Sequence, residues 1–468
     1  MFENLLSLYN PWWTNPAWEH QGVSRELYEK VVLSISTPYI TVLKGCRQSG
    51  KTFLIKQCIS EFIKQGIPAQ NIFYFLLDDP EMAAYIENNP NEFANFLRNE
   101  SHTKGKLWIF FDEFQKVKGI TELAKIFYES DAPIHFVLTG SSSLSVADKI
   151  SESLLGRTET HLLFPFSFKE FLSTQLAEAP FSFPVDEAGK IMSDFVRDPS
   201  PLLKVVHDFY SQYHFALETL KKLLHRYLLT GGYPQAALAK TSEDAFLRLK
   251  EIKQAFVEKD IVNLLRIEKL KEFDQLMRAL ALLSGSLINY NDLQNSIGIN
   301  YQTMKNFMNI LEAAYLWSPV SVFSTNKISS VKKRPKAFFN DVGLRNYLAS
   351  TYSFAQLEKE KGKIAENFVH GQLTRFIQNQ LNGFGQVQFW RSPDGNEIDF
   401  IFEHGGHLLP VEVKYQQTRQ IKISRGFRTF LQKLEMETAL IVSDDLMETH
   451  KIDPCEVFII PLVLFAMV

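Results

Sequence analysis

The sequence has little cysteine, no long apolar run and no excess of charge of one sign. Its 468 residues include three cysteines whose spacing matches no metal-binding motif, so we expect reduced thiols in a cytoplasmic protein, with neither disulfides nor zinc. A net charge of −3 excludes a chain-wide field that would draw the protein onto nucleic acid or an anionic membrane. Any binding of that kind has to be local.

Neither end of the chain predicts membrane insertion. Residues 1–18 lack the basic and apolar regions of a signal peptide. The apolar residues 457–468 include Pro461 and fall short of the roughly 20 residues of a membrane helix, so we predict a buried terminal strand. With 45% apolar residues, the composition is that of a globular protein, and the length predicts several domains.

Short apolar runs alternate with helical patterns from residue 39 to about residue 163, which predicts an α/β fold with a parallel, doubly wound sheet. A mainly helical region follows, and we interpret its charged stretch, 243–271, as a lid or connector. Residues 273–347 have the helix and strand pattern of a winged helix, and residues 387–414 are rich in strands. The predicted domains are residues 1–180, 181–270, 271–350 and 351–468.

One motif with a defined chemistry lies between the first strand and the helix after it. Residues 45–52 fit the P-loop pattern G-x-x-x-x-G-K-[ST]. In such a loop, backbone N–H groups hold phosphate oxygens, Lys51 reaches the β- and γ-phosphates, and Thr52 ligates Mg²⁺. We therefore predict ATP and Mg²⁺ as cofactors. The predicted nucleotide-binding residues of this loop are Gly45, Cys46, Arg47, Gln48, Ser49, Gly50, Lys51, Thr52 and Phe53.

A later apolar strand ends in two carboxylates, Asp112 and Glu113. An aspartate at the end of a buried strand can hold Mg²⁺, and a following glutamate can orient or deprotonate the attacking water. We predict that Asp112 binds the metal and the nucleotide, and that Glu113 and Lys51 are catalytic. An ordinary acidic turn at the end of an apolar strand is the alternative for these two residues. A structural scaffold that binds ATP without turnover is a further possible function.

Two further residues give weaker signals. Ser141 follows the next strand and is predicted to sense the γ-phosphate, with a helix cap as an equal alternative. Arg157 follows a tight turn and is a candidate catalytic arginine finger toward the ATP of a neighbouring subunit. That role would make the active form a homo-oligomer. A surface salt bridge is the alternative for Arg157.

The order of these motifs resembles a family of prokaryotic AAA-type P-loop ATPases that carry a C-terminal domain of unknown function 4143. The resemblance implies ATP use and the AAA fold, but no pathway. Asn340 departs from the family, where an aromatic residue is more common. Besides the P-loop and Asp112–Glu113, the resemblance rests on residues 138–142, 154–157, 231–234, 258–261, 338–344, 366–369 and 410–414.

Two predicted strands near the C-terminus are joined by the glycines at 405 and 406. If these glycines form a two-residue turn, residues whose numbers sum to 811 face each other, and Asp399 lies opposite Glu412. Lys414 then shares the face of Glu412. Opposed carboxylates repel each other, and a divalent cation between them would relieve the repulsion and generate a hydroxide nucleophile.

Aspartate followed by Glu-x-Lys on a hairpin, after a helix that bears Glu366, resembles the PD-(D/E)xK nuclease superfamily. The resemblance implies a restriction-endonuclease-like α/β domain after the helical lid and winged helix. Asp399, Glu412 and Lys414 would be catalytic there, and Glu366, Asp399 and Glu412 would ligate a second divalent metal, Mg²⁺ or Mn²⁺. Alternatively, Lys414 simply pairs with a carboxylate, and the domain is a non-catalytic module that binds protein.

The predicted winged helix carries a local basic patch that could place its third helix in the major groove of DNA. A packing module with a solvated loop is the alternative. We expect an ATPase coupled to a DNA-directed C-terminal domain, with an ATP-dependent regulatory protein as the alternative. The candidate DNA contacts are Gln302, Thr303, Lys305, Asn306, Lys327, Lys332, Lys333, Arg334 and Lys336.

Overall fold

The computed structural model describes residues 2–15, 17–141, 153–176, 181–262, 268–324 and 333–468. The chain divides into two compact units, each described by itself below. Unit 1 comprises Met1–Phe164 with Ala313–Tyr315, and unit 2 comprises Pro165–Glu312 with Leu316–Val468. No helix in these described ranges is both long and apolar enough to cross a bilayer.

Among the described residues of unit 1, five strands form one sheet in the order β2-β3-β4-β1-β5, and every neighbouring pair is parallel. The strands are mostly apolar on both faces, as a sheet covered on both sides requires. The predicted parallel α/β sheet is confirmed. The strands are β1 (Ile40–Lys44), β2 (Ile72–Leu76), β3 (Leu107–Asp112), β4 (Ile134–Gly140) and β5 (Thr158–Leu162).

Helices pack on both faces of this sheet. Alternate residues of β2 point to opposite sides, so that Phe73 and Phe75 join one apolar cluster and Tyr74 joins the other. The helices are α1 (Phe2–Tyr9), α2 (Tyr28–Ser34), α3 (Lys51–Lys64), α4 (Pro80–Asn88), α5 (Pro90–Lys104) and α6 (Ile120–Glu129). The first cluster includes residues of α1, α4, α5 and α6, and the second includes residues of α2 and α3.

Unit 2 begins with a mainly helical region, as expected. Its predicted charged connector falls on α12, on the π-helical turn Phe256–Val262 and partly outside the described residues. The helices are α7 (Phe168–Gln175), α8 (Val185–Arg197), α9 (Pro199–Gln212), α10 (Leu217–Thr230), α11 (Pro234–Ala237) and α12 (Ser242–Ala255).

The next region has the elements expected of a winged helix in the expected order. Helices α13 (Leu270–Leu282), α14 (Tyr290–Ile297) and α15 (Tyr301–Ala313) precede an antiparallel pair of strands. These strands are β6 (Trp317–Val320) and β7 (Lys336–Phe339). Most of the predicted wing between them, residues 325–332, lies outside the described residues, so the winged helix stays a prediction.

The C-terminal part of unit 2 is built around a mixed sheet in the order β12-β13-β11-β10-β9-β8. Its central pairs, β10 with β11 and β11 with β13, are parallel, and its other pairs are antiparallel. The elements are α16 (Val342–Ala349), α17 (Phe354–Gln380), β8 (Gln386–Arg391), β9 (Glu397–His404), β10 (His407–Lys414), α18 (Arg425–Lys433), β11 (Thr438–Ser443), β12 (Glu448–Ile452), β13 (Cys455–Pro461) and α19 (Leu462–Phe465).

The predicted terminal strand is correct only in part. Strand β13 ends at Pro461, and the next four residues form α19, so a strand beyond residue 461 is wrong. Proline has no N–H to donate to a sheet ladder, which favours a strand end at this position. The whole segment from Leu462 to Val468 is nevertheless buried.

Candidate nucleotide site and carboxylate cluster

The loop between β1 and α3 lies at the carboxyl edge of the parallel sheet, the edge where open α/β sheets bind their ligands. Gly50 caps α3 with φ 98°, a left-handed conformation that glycine adopts without strain. A Cβ at Gly45 would lie 2.3 Å from the carbonyl oxygen of Leu163. The motif glycines at both positions therefore have a steric reason.

Lys51 lies inside this loop and is 4% exposed. Its Nζ donates hydrogen bonds to the carbonyl oxygens of Gly45, at 3.1 Å, and Cys46, at 2.9 Å. Both acceptors belong to the loop itself. The ammonium group is therefore held where the P-loop motif places phosphate oxygens.

The other predicted loop residues surround Lys51 in the chain. Cys46 and Ser49 are buried, and Gln48 has a left-handed backbone with φ 61°. Arg47 acts electrostatically on Glu113 and helps to lower the pKa of that carboxyl. Phe53, in the first turn of α3, has its ring 4.5 Å from that of His20. Their roles in nucleotide binding stay predictions.

Arg25 supports the loop from a distant part of the chain. Arg25 is 4% exposed, and its guanidinium group donates to the carbonyl oxygens of Ser49 and Phe164, each at 2.7 Å. A planar guanidinium can join two acceptors in a fixed geometry. Sequence reasoning missed Arg25 because no local pattern marks it.

The predicted metal ligands Thr52 and Asp112 lie together. Thr52 Oγ1 donates to Asp112 Oδ2 at 2.7 Å, and the Tyr74 hydroxyl donates to the same oxygen at 2.8 Å. Thr139 Oγ1 donates to Asp112 Oδ1. Burial raises the pKa of Asp112 and the charge of Glu113 adds to this effect, while the three hydroxyl donors oppose it.

Glu113 stands beside this group with a left-handed backbone, φ 58°, a strained conformation for a residue with a side chain. Ser141 Oγ donates to Glu113 Oε2 at 2.6 Å, and Gln115 Nε2 donates to the same oxygen. Burial acts to raise the pKa of Glu113, but Lys51, Ser141 and Gln115 outweigh it and the pKa is lowered. The carboxylate therefore stays ionised, the form that a general base requires.

Ser141 thus contacts the predicted hydrolytic carboxylate. Its alternative role as a helix cap depends on residues 142–152, which lie outside the described residues.

At the C-terminal hairpin, the two-glycine turn and its register are as predicted. Gly405 and Gly406 have φ 58° and 86°, as a type I′ turn requires. The pairing runs from His407 with His404 to Val411 with Phe400, and each pair sums to 811. Continued by one residue, this register brings Asp399 opposite Glu412.

The side chains of this site form a compact electrostatic group. Asp399 Oδ2 accepts a hydrogen bond from the backbone N–H of Val413 at 2.8 Å. Lys414 Nζ donates to Glu412 Oε1 at 2.6 Å, which is the ion pair of the non-catalytic alternative. Glu412 is 6% exposed, and its other oxygen, Oε2, is buried without a hydrogen-bond partner.

Burial and the neighbouring charges both act on the pKa values of this group. Burial and then the charge of Asp399 raise the pKa of Glu366 to about 8 and that of Glu412 to about 7. Burial also raises the pKa of Asp399, while Lys336 opposes the change. We call Glu366, Asp399 and Glu412 the carboxylate cluster. Across the described ranges, however, no group of three or more His, Cys, Asp or Glu side chains is arranged to hold a metal ion.

The carboxylate cluster predicts a pH-dependent stability. Folding raises the pKa of Glu366 from 4.5, its value in the unfolded chain, to about 8. The contribution of Glu366 to the stability of the folded state is therefore greatest below pH 4.5, and it is lost as the pH rises toward 8. Lys336 opposes this loss, whereas Glu397, Asp399 and Glu412 increase it. Glu366→Gln should therefore raise the free energy of unfolding at pH 8.5, relative to wild type, by about 3 kcal/mol more than at pH 5.

Urea denaturation of the full chain between pH 5 and 8.5, without divalent ions, measures this difference. Glu403→Gln on the same hairpin is the matched control and should shift little with pH. Parallel stability curves for wild type and Glu366→Gln would show that folding does not raise the pKa of Glu366.

One predicted DNA contact is wrong. Lys336 is 2% exposed and forms an ion pair with Glu397, so it faces the protein interior and cannot reach a phosphate group. A buried lysine needs a counter-charge, and Glu397 of β9 supplies it.

The other candidate contacts of this region differ in accessibility. Lys305 lies over the ring of Tyr290, 4.1 Å from its centroid. Lys327 and Lys332 lie outside the described residues. The exposed candidates are Gln302, Asn306, Lys333 and Arg334.

Three regions of the chain match known domain families. Residues 37–172 match a family described as AAA domain, and residues 361–465 match a domain of unknown function, DUF4143. This protein carries an AAA domain followed by DUF4143. Between them, residues 221–355 match a second domain of unknown function, DUF8612.

The relatives of this AAA and DUF4143 protein include uncharacterized proteins from distant prokaryotes. A Methanocaldococcus jannaschii protein is 23% identical over 409 residues, 85% of this chain and 80% of the relative. A Haemophilus influenzae protein is 23% identical over 404 residues, 84% of this chain and 87% of the relative. The similarity thus extends across both domains.

Solved structures with some similarity include the Aeropyrum pernix ORC2 protein in its ADP form, with a TM-score of 0.30, 14% identity and coverage of 76% of this chain and 97% of that one. AMPPCP-bound DnaA from Aquifex aeolicus has a TM-score of 0.27, 13% identity and coverage of 65% and 92%. Scores this low carry no argument about function.

Arg157 lies at the opposite edge of the AAA sheet from the P-loop. Its carbonyl accepts from Ile40, the first residue of β1, whereas the P-loop follows the last. The guanidinium donates to Glu129 at 2.6 Å, which is the surface ion pair of the alternative interpretation. A role toward the ATP of another subunit stays a prediction.

Proposed function

We propose that this protein binds Mg·ATP at residues 45–53 and hydrolyses it. The observation that carries the proposal is the hydrogen bond from Thr52 to Asp112, beside a Glu113 that is kept ionised. A hydroxyl next to a buried carboxylate is the ligand set that P-loop ATPases use for Mg²⁺, and bound Mg²⁺ would neutralise charge on the β- and γ-phosphates. The AAA domain supports the same activity.

The residues of the site divide the work. Lys51 would exchange the carbonyls of Gly45 and Cys46 for phosphate oxygens, because an ammonium group gains more from an anion than from a neutral acceptor. Glu113 would accept a proton from the attacking water or orient it. Ser141, which now donates to Glu113, would be released toward the γ-phosphate in its predicted sensor role.

Measurement of ATP binding and phosphate release tests this proposal. Lys51→Ala should weaken ATP binding at least about tenfold, since it removes a charged hydrogen-bond donor. Lys64→Ala, at the exposed end of the same helix, is the control and should behave as wild type. Unchanged binding and turnover in Lys51→Ala would contradict the proposal.

A second candidate function concerns the C-terminal domain. We propose that it is directed to DNA and cleaves phosphodiester bonds with a divalent metal, under control of the ATPase. The observation in favour is the buried, unpartnered Oε2 of Glu412 beside two carboxyls with raised pKa values. Bound Mg²⁺ or Mn²⁺ would supply a hydroxide nucleophile.

The protein's own groups would support that chemistry. Asp399 and Glu412 would hold the cation, with Glu366 drawn toward it from α17. Lys414, whose pKa Glu412 raises against the effect of burial, would stay charged and position water or stabilise the phosphorane-like charge. Metal-dependent cleavage of plasmid DNA tests this function. In its absence, the domain would be a non-catalytic module that binds protein.

A further inference from the structure

We infer that the segment from residue 415 to residue 433 is a surface that binds the phosphate backbone of duplex DNA. This inference rests on the proposed DNA-directed role of the C-terminal domain, and it locates that role outside the predicted winged helix. The segment contains no acidic residue, although the whole chain has a net charge of −3. We call its basic residues the basic surface: Arg419, Lys422, Arg425, Arg428 and Lys433.

The cations of the basic surface lack partners within the protein. All five residues are exposed, and in the part of the chain that the structure describes none forms an ion pair or a side-chain hydrogen bond. Other basic residues of the same unit do form ion pairs: Arg391 pairs with Glu397, and Lys221 pairs with Asp445. A segment with several unpaired positive charges and no negative charge suits a partner that carries many negative charges.

Helix α18 orients part of the basic surface toward solvent. Phe427, Phe430 and Leu431 are buried in the apolar cluster beneath the helix. Arg425 and Arg428, three residues apart, are neighbours on the exposed side. The burial of the apolar side therefore prevents both arginines from turning inward.

Helix α18 of the basic surface lies on the same face of the C-terminal sheet as Glu412. Glu412 pairs in register with Ile441 of the next strand, so their side chains share one face of the sheet. Ile441 belongs to the apolar cluster that Phe427 and Phe430 complete, so α18 covers that same face. The segment also continues directly from Lys414, and Gly426 lies against the side chain of Asn396, three residues before Asp399.

The exposed side chains favour a duplex over a single strand. Single-stranded DNA is usually held by aromatic rings on which bases stack. The segment has no fully exposed aromatic ring, because Phe427 and Phe430 are buried and Tyr415 is half-buried, and it exposes amide and hydroxyl groups between the cations. Such a surface suits the regularly spaced phosphates of a duplex.

The test is the salt dependence of binding between the full-length protein and a short DNA duplex, in EDTA and without ATP. Arg425→Gln with Arg428→Gln should reduce the slope of log K against log salt concentration by about 2, since each lost phosphate contact removes nearly one unit. The control is Lys240→Gln with Lys250→Gln, which removes the same charge from other exposed sites and should keep the wild-type slope. ATP turnover equal to wild type confirms that both variants fold.

Three results would overturn the inference: no duplex binding by wild type, an unchanged slope in the arginine variant, or stronger binding to single-stranded DNA or polyglutamate than to the duplex. The nuclease function fails differently. If wild type binds the duplex and the arginine variant shows the reduced slope, but wild type does not cut the duplex with Mn²⁺, cleavage is excluded and the basic surface stands.

Discussion

Replacement of Glu113 by glutamine is expected to lower ATP turnover by about 10²–10⁴-fold, the usual contribution of a general base, with little change in ATP affinity. Glutamine keeps the shape of the side chain and can still bond to Ser141 and Gln115, but it cannot accept a proton from water. Phosphate binding should persist because it depends on Lys51 and the backbone of the loop.

Phosphate release and equilibrium binding of ATP, measured on the same preparations, separate these two effects. Glu81→Gln, an exposed position on α4, makes the same chemical change away from the site and should retain wild-type turnover. Undiminished phosphate release in Glu113→Gln would show that Glu113 is not the general base.

The P-loop is the part of the molecule that the sequence predicts best, because its residues act through local backbone geometry. Gly50 needs a left-handed conformation, and Lys51 and Thr52 follow it on the first turn of a helix. Two residues that hold Asp112 from neighbouring strands were not predicted. Tyr74 and Thr139 contact Asp112 across 38 and 27 positions of the chain, so their roles depend on the order of strands in the sheet.

The C-terminal hairpin and Lys336 show the same difference between local and distant effects. Two glycines determine a turn, and the turn determines the register, so the opposition of Asp399 and Glu412 follows from the sequence alone. Lys336 was misplaced because a lysine in a basic stretch is usually exposed. Its burial depends on Glu397, which comes 61 residues later in the chain and pairs with it only in the folded unit.

Asp399→Asn is expected to reduce Mn²⁺-dependent cleavage of duplex DNA by at least about 10²-fold, a loss comparable to that of an essential acid or base. An amide cannot neutralise the cation that the carboxylate cluster would hold, although it can still accept the hydrogen bond from Val413. Wild-type cleavage should also rise with pH from about 6 to about 8, because metal ligands must lose their protons and the pKa of Glu412 is about 7.

Plasmid cleavage with Mg²⁺ or Mn²⁺, with and without ATP, measures this effect, and Asp394→Asn in the exposed turn before β9 is the matched control. Equal cutting by wild type and Asp399→Asn would trace the activity to a contaminant or another site. If wild type shows no metal-dependent cutting in any condition, Lys414 serves as the counter-charge of Glu412 that the structure shows. The carboxylate cluster would then mark a nuclease-like fold kept for binding. Burial of three carboxyls without a chemical use costs stability, and Glu366→Gln would restore part of it.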